Sequence, residues 1–354
     1  MEKDKNELME LFERVSKDQE KAELLRNILM LMEDSSLIFQ LHIKRIFIVP
    51  GRNSYELAKQ IAEASGIKLA EVVWTDFTDG ESKPQYKDNI RGAFLYIVNS
   101  TNAPADNLND VELLTDAAIR ASAERIIVVT PYFGGQRQER KDKGRVPITA
   151  KLNADKLAAV GVYKLIAIDL HADAIQAFFP RFDHLFASAI FVPYIKKLDL
   201  EYLHFVSLDT GGAKRIEKYA DLFNVPFGIC YKQRDDGPDK IKKMMLLGDV
   251  KGKDVVMIDD IIDTAGSVEK FTTLVLDAGA RSVRCFFTHP VLSGTAYERI
   301  KNMPNVEYIV TDTIPIDPKF FELPNFKVLT VVDFLADVIK RDTKNESISS
   351  MFVF

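Results

Sequence analysis

The chain has 354 residues, a formal net charge of −5 and 47% hydrophobic residues. This length favours two domains, because a single hydrophobic core rarely grows beyond about 250–300 residues. The charge gives no basic excess that would favour nucleic acid or an anionic membrane surface, and no apolar run reaches the roughly 18 residues of a membrane span. Two cysteines are too few for a disulfide framework, and the charged N-terminus lacks a signal-peptide pattern, so we expect a cytoplasmic protein.

The first 43 residues have a helical pattern. Apolar residues within 8–15 recur at the spacing of one helical face, and residues 16–19 resemble a capping box that begins a second helix. We therefore expect residues 1–43 to form a helical hairpin. An appended packing or oligomerisation element is favoured over a recognition role.

From Lys44 onward, short apolar runs alternate with helical stretches. The runs are Ile46–Val49, Phe94–Val98, Ile126–Val129, Leu165–Ile168, Phe205–Val206 and Val255–Ile258. The helical stretches include 54–64, 110–121 and 213–223. Near-continuous hydrophobic strands separated by helices are typical of parallel sheets covered on both faces. The pattern predicts an α/β protein with an N-terminal domain of residues 44–190 and a C-terminal domain of residues 191–354.

Polar, glycine-bearing or titratable residues follow each predicted strand. These segments are 51–53, 99–102, 130–134, 169–171, 209–212 and 259–260. The carboxyl ends of parallel strands form the ligand-binding edge of open α/β sheets. A fold built only for stability would not need such residues there, so this edge is the predicted site.

Residues 259–267 carry the strongest functional signal. Asp259 and Asp260 are predicted to end a buried strand, and the following Asp263-Thr264-Ala265-Gly266-Ser267 leads into a helix. A helix N-terminus with hydroxyls and glycine is an anion site, and adjacent carboxylates suit a sugar diol. A simple N-cap would explain one of these residues but not the whole set. We expect a phosphorylated ribose to bind here.

Three further segments point to a nucleotide. His171 follows a strand end beside Asp169, where a metal ion or a phosphate is favoured over a purely structural role. Residues 137–143 form a basic loop after a buried strand and a Gly-Gly turn, which favours phosphate or nucleobase contact over a solvated charged surface. Residues 77–81 offer an aromatic ring for base stacking and two acidic acceptors.

Taken together, these motifs resemble those of the class I ribose-phosphate diphosphokinases, also called phosphoribosyl pyrophosphate synthetases. The resemblance extends from about Arg45 to Phe352. It is carried in chain order by 77–81, 106–108, 131–143, 146–152, 169–179, 209–215, 248–254, 258–267, 288–289, 292–294, 311–315 and 346–352. It implies two type I phosphoribosyltransferase-like, Rossmann-like domains, with the C-terminal tail packing back on the N-terminal domain.

The resemblance also implies an activity. The family transfers the diphosphoryl group of MgATP to the C1 hydroxyl of ribose 5-phosphate, giving AMP and phosphoribosyl pyrophosphate for nucleotide biosynthesis. It implies Mg²⁺ as the cofactor and a dimer-built homo-oligomer, for which a hexamer is one option. Neither nucleic acid nor membrane is an expected partner.

The residues implied by resemblance fall into five groups. They are Lys232, Arg234 and His171 for catalysis; Phe77, Asp79, Glu81, Arg137, Gln138, Asp142 and His171 for ATP; Asp259, Asp260, Asp263, Thr264, Ala265, Gly266 and Ser267 for ribose 5-phosphate; Asp209, Thr210, Gly211 and Gly212 for pyrophosphate; and His171 and Asp209 for the metal.

Two alternatives compete with this enzyme. One is a catalytically silent regulatory homologue that binds synthetase subunits, but His171, Lys232 and Arg234 are all present. The other is a phosphoribosyltransferase, which would not need an adenine-binding segment. Gly144 and Asp173 replace serines that the family often uses for a regulatory anion, so we expect weakened phosphate activation and ADP inhibition.

Overall fold

The structure is a computed structural model that describes residues 45–234 and 241–354, with side chains for 45–231 and 244–354. The predicted helical hairpin of residues 1–43 lies outside the described residues. Residues 235–240 also lie outside the described residues. No helix within the described ranges is long and apolar enough to cross a membrane.

The described strands are numbered here in chain order. They are β1 (Ile46–Pro50), β2 (Val72–Asp76), β3 (Ser82–Tyr86), β4 (Phe94–Val98), β5 (Arg125–Val129), β6 (Lys164–Ile168), β7 (Phe182–Leu185), β8 (Leu203–Ser207), β9 (Phe227–Arg234), β10 (Ile241–Leu247), β11 (Asp254–Ile262), β12 (Ser282–Pro290), β13 (Val306–Thr311) and β14 (Phe326–Leu329).

The described α-helices are numbered in the same way. They are α1 (Tyr55–Ser65), α2 (Asp106–Arg120), α3 (Thr149–Val160), α4 (Ser188–Lys197), α5 (Ala213–Phe223), α6 (Gly266–Asp277), α7 (Ala296–Lys301) and α8 (Val332–Thr343). Short 3₁₀ helices occur at Asp173–Phe178, Pro318–Glu322 and Ser349–Met351.

The first sheet has five parallel strands in the order β1-β4-β5-β6-β7. Every residue of β4 is buried, as expected for a strand covered on both faces. The predicted apolar runs within residues 46–168 match these strands to within one residue at either end. The parallel α/β architecture predicted from the sequence is confirmed.

The second sheet has seven strands in the order β10-β9-β8-β11-β12-β13-β14. All neighbours in this sheet run parallel except β9 and β10, which form an antiparallel hairpin. Strands β2 and β3 form a separate antiparallel hairpin. Neither hairpin was predicted from the apolar pattern.

The end of the strand that carries Asp259 and Asp260 was predicted wrongly. Asp259 and Asp260 do not end their strand, because β11 continues to Ile262. Its pairing with β8 stops at Met257, whereas its pairing with β12 extends to Ile262. The two acids therefore lie on a strand segment that pairs with a neighbouring strand on one side only.

The C-terminal helix α8 packs against α1 on the first sheet. The Tyr96 hydroxyl donates to Asp342 Oδ2 at 2.7 Å, and Lys164 Nζ donates to Asp342 Oδ1 at 2.5 Å. Lys340 Nζ donates to the carbonyl oxygen of Ala64 at 2.8 Å. The end of the chain thus contacts the N-terminal half, while the division into domains 44–190 and 191–354 remains a prediction.

Candidate active site

A cavity of about 240 Å³ lies where strand ends of the two sheets meet. It is lined by Arg137, which follows β5, by His171, which follows β6, and by Asp209, which follows β8. Leu208, residues 259–268 and Phe271 complete the lining. The structure therefore brings together predicted site residues that are up to about 130 positions apart in the sequence.

The end of β11 and the start of α6 form one wall of this cavity. Ala265 adopts a left-handed backbone with φ of 60°, immediately before the helix. Non-glycine residues rarely adopt this conformation, and those that do often lie in functional turns. The backbone N–H groups at the start of a helix have no intrahelical acceptor, so the first turn of α6 can bind an anion.

Asp263 links this wall to two neighbouring segments. Arg137 NH1 lies 2.6 Å from Asp263 Oδ2, and the Ser293 hydroxyl donates to Asp263 Oδ1. The pKa of Asp263 is lowered because the hydrogen bonds from Ser293 and Arg137, together with the charge of Arg137, outweigh the opposing effect of burial. Arg137, which was predicted to contact ATP, therefore lies between the basic loop and the segment predicted to hold ribose 5-phosphate.

Asp259 and Asp260 share one arginine. Arg215 NH1 lies 3.3 Å from Oδ1 of each carboxyl group. Burial, reinforced by the charge of Asp260, raises the pKa of Asp259 well above its usual range. Burial also acts to raise the pKa of Asp260, but the hydrogen bond with His171 and the charge of Arg215 outweigh it and lower that pKa. The pair thus consists of an ionised Asp260 beside a carboxyl group that takes up a proton readily.

His171 is held at the cavity by two contacts. Its Nδ1 lies 2.7 Å from Asp260 Oδ2, and its backbone N–H donates to the buried Gln136 Oε1 at 3.0 Å. The hydrogen bond with Asp260 raises the pKa of the His171 imidazole against the opposing effect of burial. A protonated imidazole here adds positive charge at a cavity suited to phosphate.

The loop of residues 209–212 is folded back on itself before α5. Asp209 Oδ1 accepts the Gly212 N–H at 2.9 Å, and the Ser207 hydroxyl donates to the Asp209 carbonyl oxygen at 2.6 Å. A Cβ atom at Gly212 would lie 3.0 Å from Ser207 Oγ. A side chain at position 212 would therefore crowd this tight turn, which favours glycine there.

The predicted adenine residues lie elsewhere. Phe77, Asp79 and Glu81 are on the turn between β2 and β3, and Phe77 is 48% exposed. Asp79 and Glu81 line a separate open cavity of about 840 Å³ beside α2. Gln138 and Asp142 lie on the exposed segment after β5. The predicted ATP residues are thus divided between two places on this chain.

The predicted catalytic pair lies at the end of β9. Lys232 and Arg234 belong to this strand, which forms an antiparallel hairpin with β10. Their side chains lie outside the described residues. Their assignment to catalysis therefore remains a prediction.

This chain is similar to known proteins over most of its length. A family model for the N-terminal domain of ribose phosphate pyrophosphokinase matches residues 46–161, and one for the phosphoribosyl synthetase-associated domain matches residues 230–353. The ribose-phosphate pyrophosphokinase of Porphyromonas gingivalis is 43% identical over 87% of this chain and 97% of its own length. That of Bacillus subtilis is 40% identical over 87% of this chain and 98% of its own length. The chain belongs to the ribose-phosphate pyrophosphokinase family.

The structural comparison agrees with the sequence matches. The crystal structure of phosphoribosylpyrophosphate synthetase from Mycobacterium smegmatis aligns with a TM-score of 0.79 and 33% identity, covering 85% of this chain and all of that one. The resemblance stated from the sequence motifs is confirmed. The two sheets of this chain therefore have the fold of that synthetase.

Two arginines of this pyrophosphokinase site were not predicted. Arg215 was noted only as the end of a matching segment, although it contacts both acids of β11. Arg299 NH1 donates to the Thr264 carbonyl oxygen at 2.9 Å and lies 3.4 Å from Thr264 Oγ1. Arg299 comes from α7, and no local sequence signal places it beside Thr264. The predicted anion site at the start of α6 thus has a cation, Arg299, close to it.

His289 has a different role from His171. It is fully buried, and its Nε2 lies 3.0 Å from the Ile168 carbonyl oxygen and 3.1 Å from that of Asp169. The Thr288 hydroxyl donates to the Asp169 side chain. These contacts join β12 of the second sheet to the end of β6 in the first, which fixes the strand end that precedes His171.

Proposed function

We propose that this protein transfers the diphosphoryl group of ATP to the C1 hydroxyl of ribose 5-phosphate, giving AMP and 5-phosphoribosyl 1-pyrophosphate. Relatives named ribose-phosphate pyrophosphokinase match nearly their whole length at about 40% identity. The observation that carries the proposal is the cavity in which an acid pair, a histidine and a helix N-terminus meet. No observation favours the silent regulatory alternative.

The acceptor is proposed to bind at residues 259–267. The 5-phosphate would be bound by the first turn of α6, with Thr264 and Ser267 contributing hydroxyl groups. Asp259 and Asp260 would bind the ribose hydroxyls, because a carboxylate can accept from two adjacent hydroxyls. The Arg137–Asp263 ion pair would then lie between the sugar and the phosphates of the donor.

The donor is proposed to bind between the turn of residues 77–81 and the cavity. Phe77 would stack on adenine, and Asp79 and Glu81 would accept from the base. Arg137, Gln138, Asp142 and His171 would contact the phosphates. Since the turn and the cavity are separate on one subunit, we infer that a neighbouring subunit supplies one of them, in keeping with a homo-oligomer.

A divalent cation, Mg²⁺, is proposed to accompany ATP. Asp209 accepts the Gly212 amide with Oδ1, so its Oδ2 could bind the ion. The Nδ1 atom of His171 is already bonded to Asp260, so only its Nε2 could do so. No group of three metal-ligating side chains occurs among the described residues. Mg²⁺ keeps several waters and binds through one or two carboxylates and substrate phosphates, so a single carboxylate such as that of Asp209 can serve it. When bound, the ion would neutralise phosphate charge.

In the reaction, the ribose C1 oxygen would form a bond to the β-phosphorus while the bond between that phosphorus and the α,β-bridging oxygen breaks. AMP leaves with that oxygen, and the hydroxyl proton is released. Such a transfer requires mainly in-line positioning and cations where negative charge develops. Lys232 and Arg234 are proposed to supply these cations. Asp209, Thr210, Gly211 and Gly212 would bind the diphosphate.

The deciding assay is release of AMP from ATP. We expect it to depend on both ribose 5-phosphate and Mg²⁺, and to yield phosphoribosyl pyrophosphate in equal amount. ATP hydrolysis without ribose 5-phosphate should be slow. If the folded protein forms no AMP, the silent regulatory alternative is favoured. If it consumes phosphoribosyl pyrophosphate together with a free base, a phosphoribosyltransferase is favoured.

A further inference from the structure

The β2–β3 hairpin is a two-stranded sheet beside the five-stranded sheet, not part of it. An isolated hairpin of two strands is only marginally stable in water. Its turn, residues 77–81, is closed by hydrogen bonds from Phe77 N to Glu81 O at 2.8 Å and from Gly80 N to Phe77 O at 3.0 Å. These bonds shape the turn but do not orient it on the protein, so its orientation depends on anchoring contacts.

Arg52, which follows β1, supplies such an anchor. Its Nε and NH2 atoms lie 2.9 and 2.6 Å from the two carboxylate oxygens of Asp110 on α2. Its NH1 atom lies 2.8 Å from Asp76 Oδ1, and NH2 lies 3.0 Å from Ser82 Oγ. The guanidinium carbon is 4.3 Å from the centroid of the Trp74 ring.

This arrangement connects both ends of the turn to one helix. Asp76 is the last residue of β2 and Ser82 the first residue of β3, so they flank the turn directly. The side chain of Asp110 is only 2% exposed, and a bidentate pair with a desolvated carboxylate is stronger and better oriented than an ordinary surface pair. The planar guanidinium therefore restrains the turn relative to α2.

We propose that Arg52 is a positioning residue for the adenine half of ATP. It would hold the turn with Phe77, Asp79 and Glu81 in the orientation that the base requires. The inference rests on the proposed function, and specifically on the assignment of this turn to adenine. Because Arg52 acts through the turn, its loss should weaken ATP binding more than it slows the transfer itself.

Lysine cannot replace this arginine. A lysine ammonium is a single point of charge and cannot make the two parallel bonds to Asp110 while also reaching Asp76 and Ser82. We expect Arg52→Lys to raise KM for ATP about tenfold and Arg52→Met to raise it further. In both variants kcat at saturating ATP and KM for ribose 5-phosphate should stay within about twofold of the unmodified protein.

The chain offers a matched control in Arg281. Its Nε lies 3.0 Å from Asp254 Oδ1, its NH2 also binds that carboxylate, and its guanidinium carbon is 4.8 Å from the ring centroid of Tyr202. Asp254, like Asp110, is almost fully buried. This arginine precedes β12 and thus lies at the end of the second sheet away from the cavity. Arg281→Lys and Arg281→Met should lower the unfolding temperature as much as the matching Arg52 variants do, but they should leave KM for ATP unchanged.

A spectroscopic readout separates this inference from the proposed function. Trp74 is the only tryptophan of the chain, so its emission reports on the hairpin without any turnover. We expect ATP to change this emission in the unmodified protein, with the midpoint shifted about tenfold higher in Arg52→Lys. This titration tests the inference even if no AMP is formed.

The outcomes are distinct. An Arg52→Met protein that binds ATP within twofold of the unmodified protein overturns the inference, as does an Arg281→Met protein whose KM for ATP rises equally. A selective rise in the ATP constants of the Arg52 variants supports it. Failure of AMP formation in the unmodified protein, with normal Trp74 titrations, would reject the proposed function and leave the positioning role standing.

Discussion

The acid pair of β11 depends on a cation that precedes it in the sequence by 44 and 45 positions. Arg215 lies in the first turn of α5, where the helix dipole disfavours positive charge. Its place there is explained by its contacts with Asp259 and Asp260 and not by helix stability. Sequence motifs indicated the acids but not their partner, because that contact exists only once β8 and β11 pair.

Removal of this cation should affect the acceptor side. Arg215→Met leaves two adjacent, largely buried carboxyl groups without their shared positive charge, and removing one partner of such a group is costly. We expect KM for ribose 5-phosphate to rise at least about tenfold, equivalent to about 1.4 kcal/mol of binding, with a smaller change in KM for ATP. Steady-state kinetics with each substrate varied in turn would measure this difference.

The control for Arg215 is Arg284 on β12. Its side chain is less exposed than that of Arg215, and it pairs with Glu307 at 3.1 Å. Arg284→Met should lower thermal stability without changing either KM. If both variants changed KM for ribose 5-phosphate equally, Arg215 would have no specific part in the site.

At the scale of elements, burial decides what the sequence could predict. Strand β4 was predicted in full because it is apolar throughout and covered on both faces. The β2–β3 hairpin was missed because its second strand, Ser82–Tyr86, is mostly polar, contains Pro84 and is partly exposed. The extension of β11 past Ile258 was missed because its last residues pair only with β12. Such pairings depend on tertiary contacts that no local pattern encodes.

Helix α8 provides an element-scale test through Asp342. This carboxylate accepts hydrogen bonds from Tyr96 and Lys164 of the first sheet, and its side chain is 15% exposed. Asp342→Ala should destabilise the protein by about 1–3 kcal/mol, because hydrogen bonds to a charged group are lost and a buried hydroxyl loses its acceptor. Thermal unfolding measures the effect.

The matched change on the same helix is Asp337→Ala. Asp337 is 50% exposed and pairs with Arg341 one turn along the helix, an arrangement worth only about 0.3–0.5 kcal/mol. We expect its unfolding temperature to stay close to that of the unmodified protein. Equal losses in the two variants would show that α8 is not anchored through Asp342.

At the scale of the whole molecule, buried polar contacts join the two sheets where the cavity lies. The Ser100 hydroxyl donates to the Thr313 carbonyl oxygen at 2.5 Å, and His289 Nε2 lies 3.0 Å from the Ile168 carbonyl oxygen. Buried polar networks are stable only when their members are satisfied. The predicted strand ends therefore form a site because this junction aligns two sheets, and the sequence motifs alone gave no register between them.

The same burial predicts how stability depends on pH. The pKa values of His184, His204 and His289 are all lowered, in each case first by burial. Below the ordinary histidine pKa of about 6.5, these histidines are protonated in the unfolded chain but stay neutral in the folded protein, so a fall in pH favours the unfolded chain. Stability should therefore fall as pH falls from about 7.5 to 5.5. His171, whose pKa is raised, acts in the opposite direction: its contribution is complete below about 6.5 and is lost as pH rises.

His204 is the variant that isolates this effect. It is 3% exposed on β8, and neither ring nitrogen has a hydrogen-bond partner among the described residues. His204→Leu should raise the unfolding temperature and reduce its change between pH 7.5 and 5.5. A histidine that stays neutral in the folded protein lowers the free energy of unfolding by at most about 1.4 kcal/mol for each pH unit below its unfolded pKa. Thermal unfolding at both pH values tests this. A leucine variant with an undiminished pH response would mean that His204 takes up its proton in the folded protein.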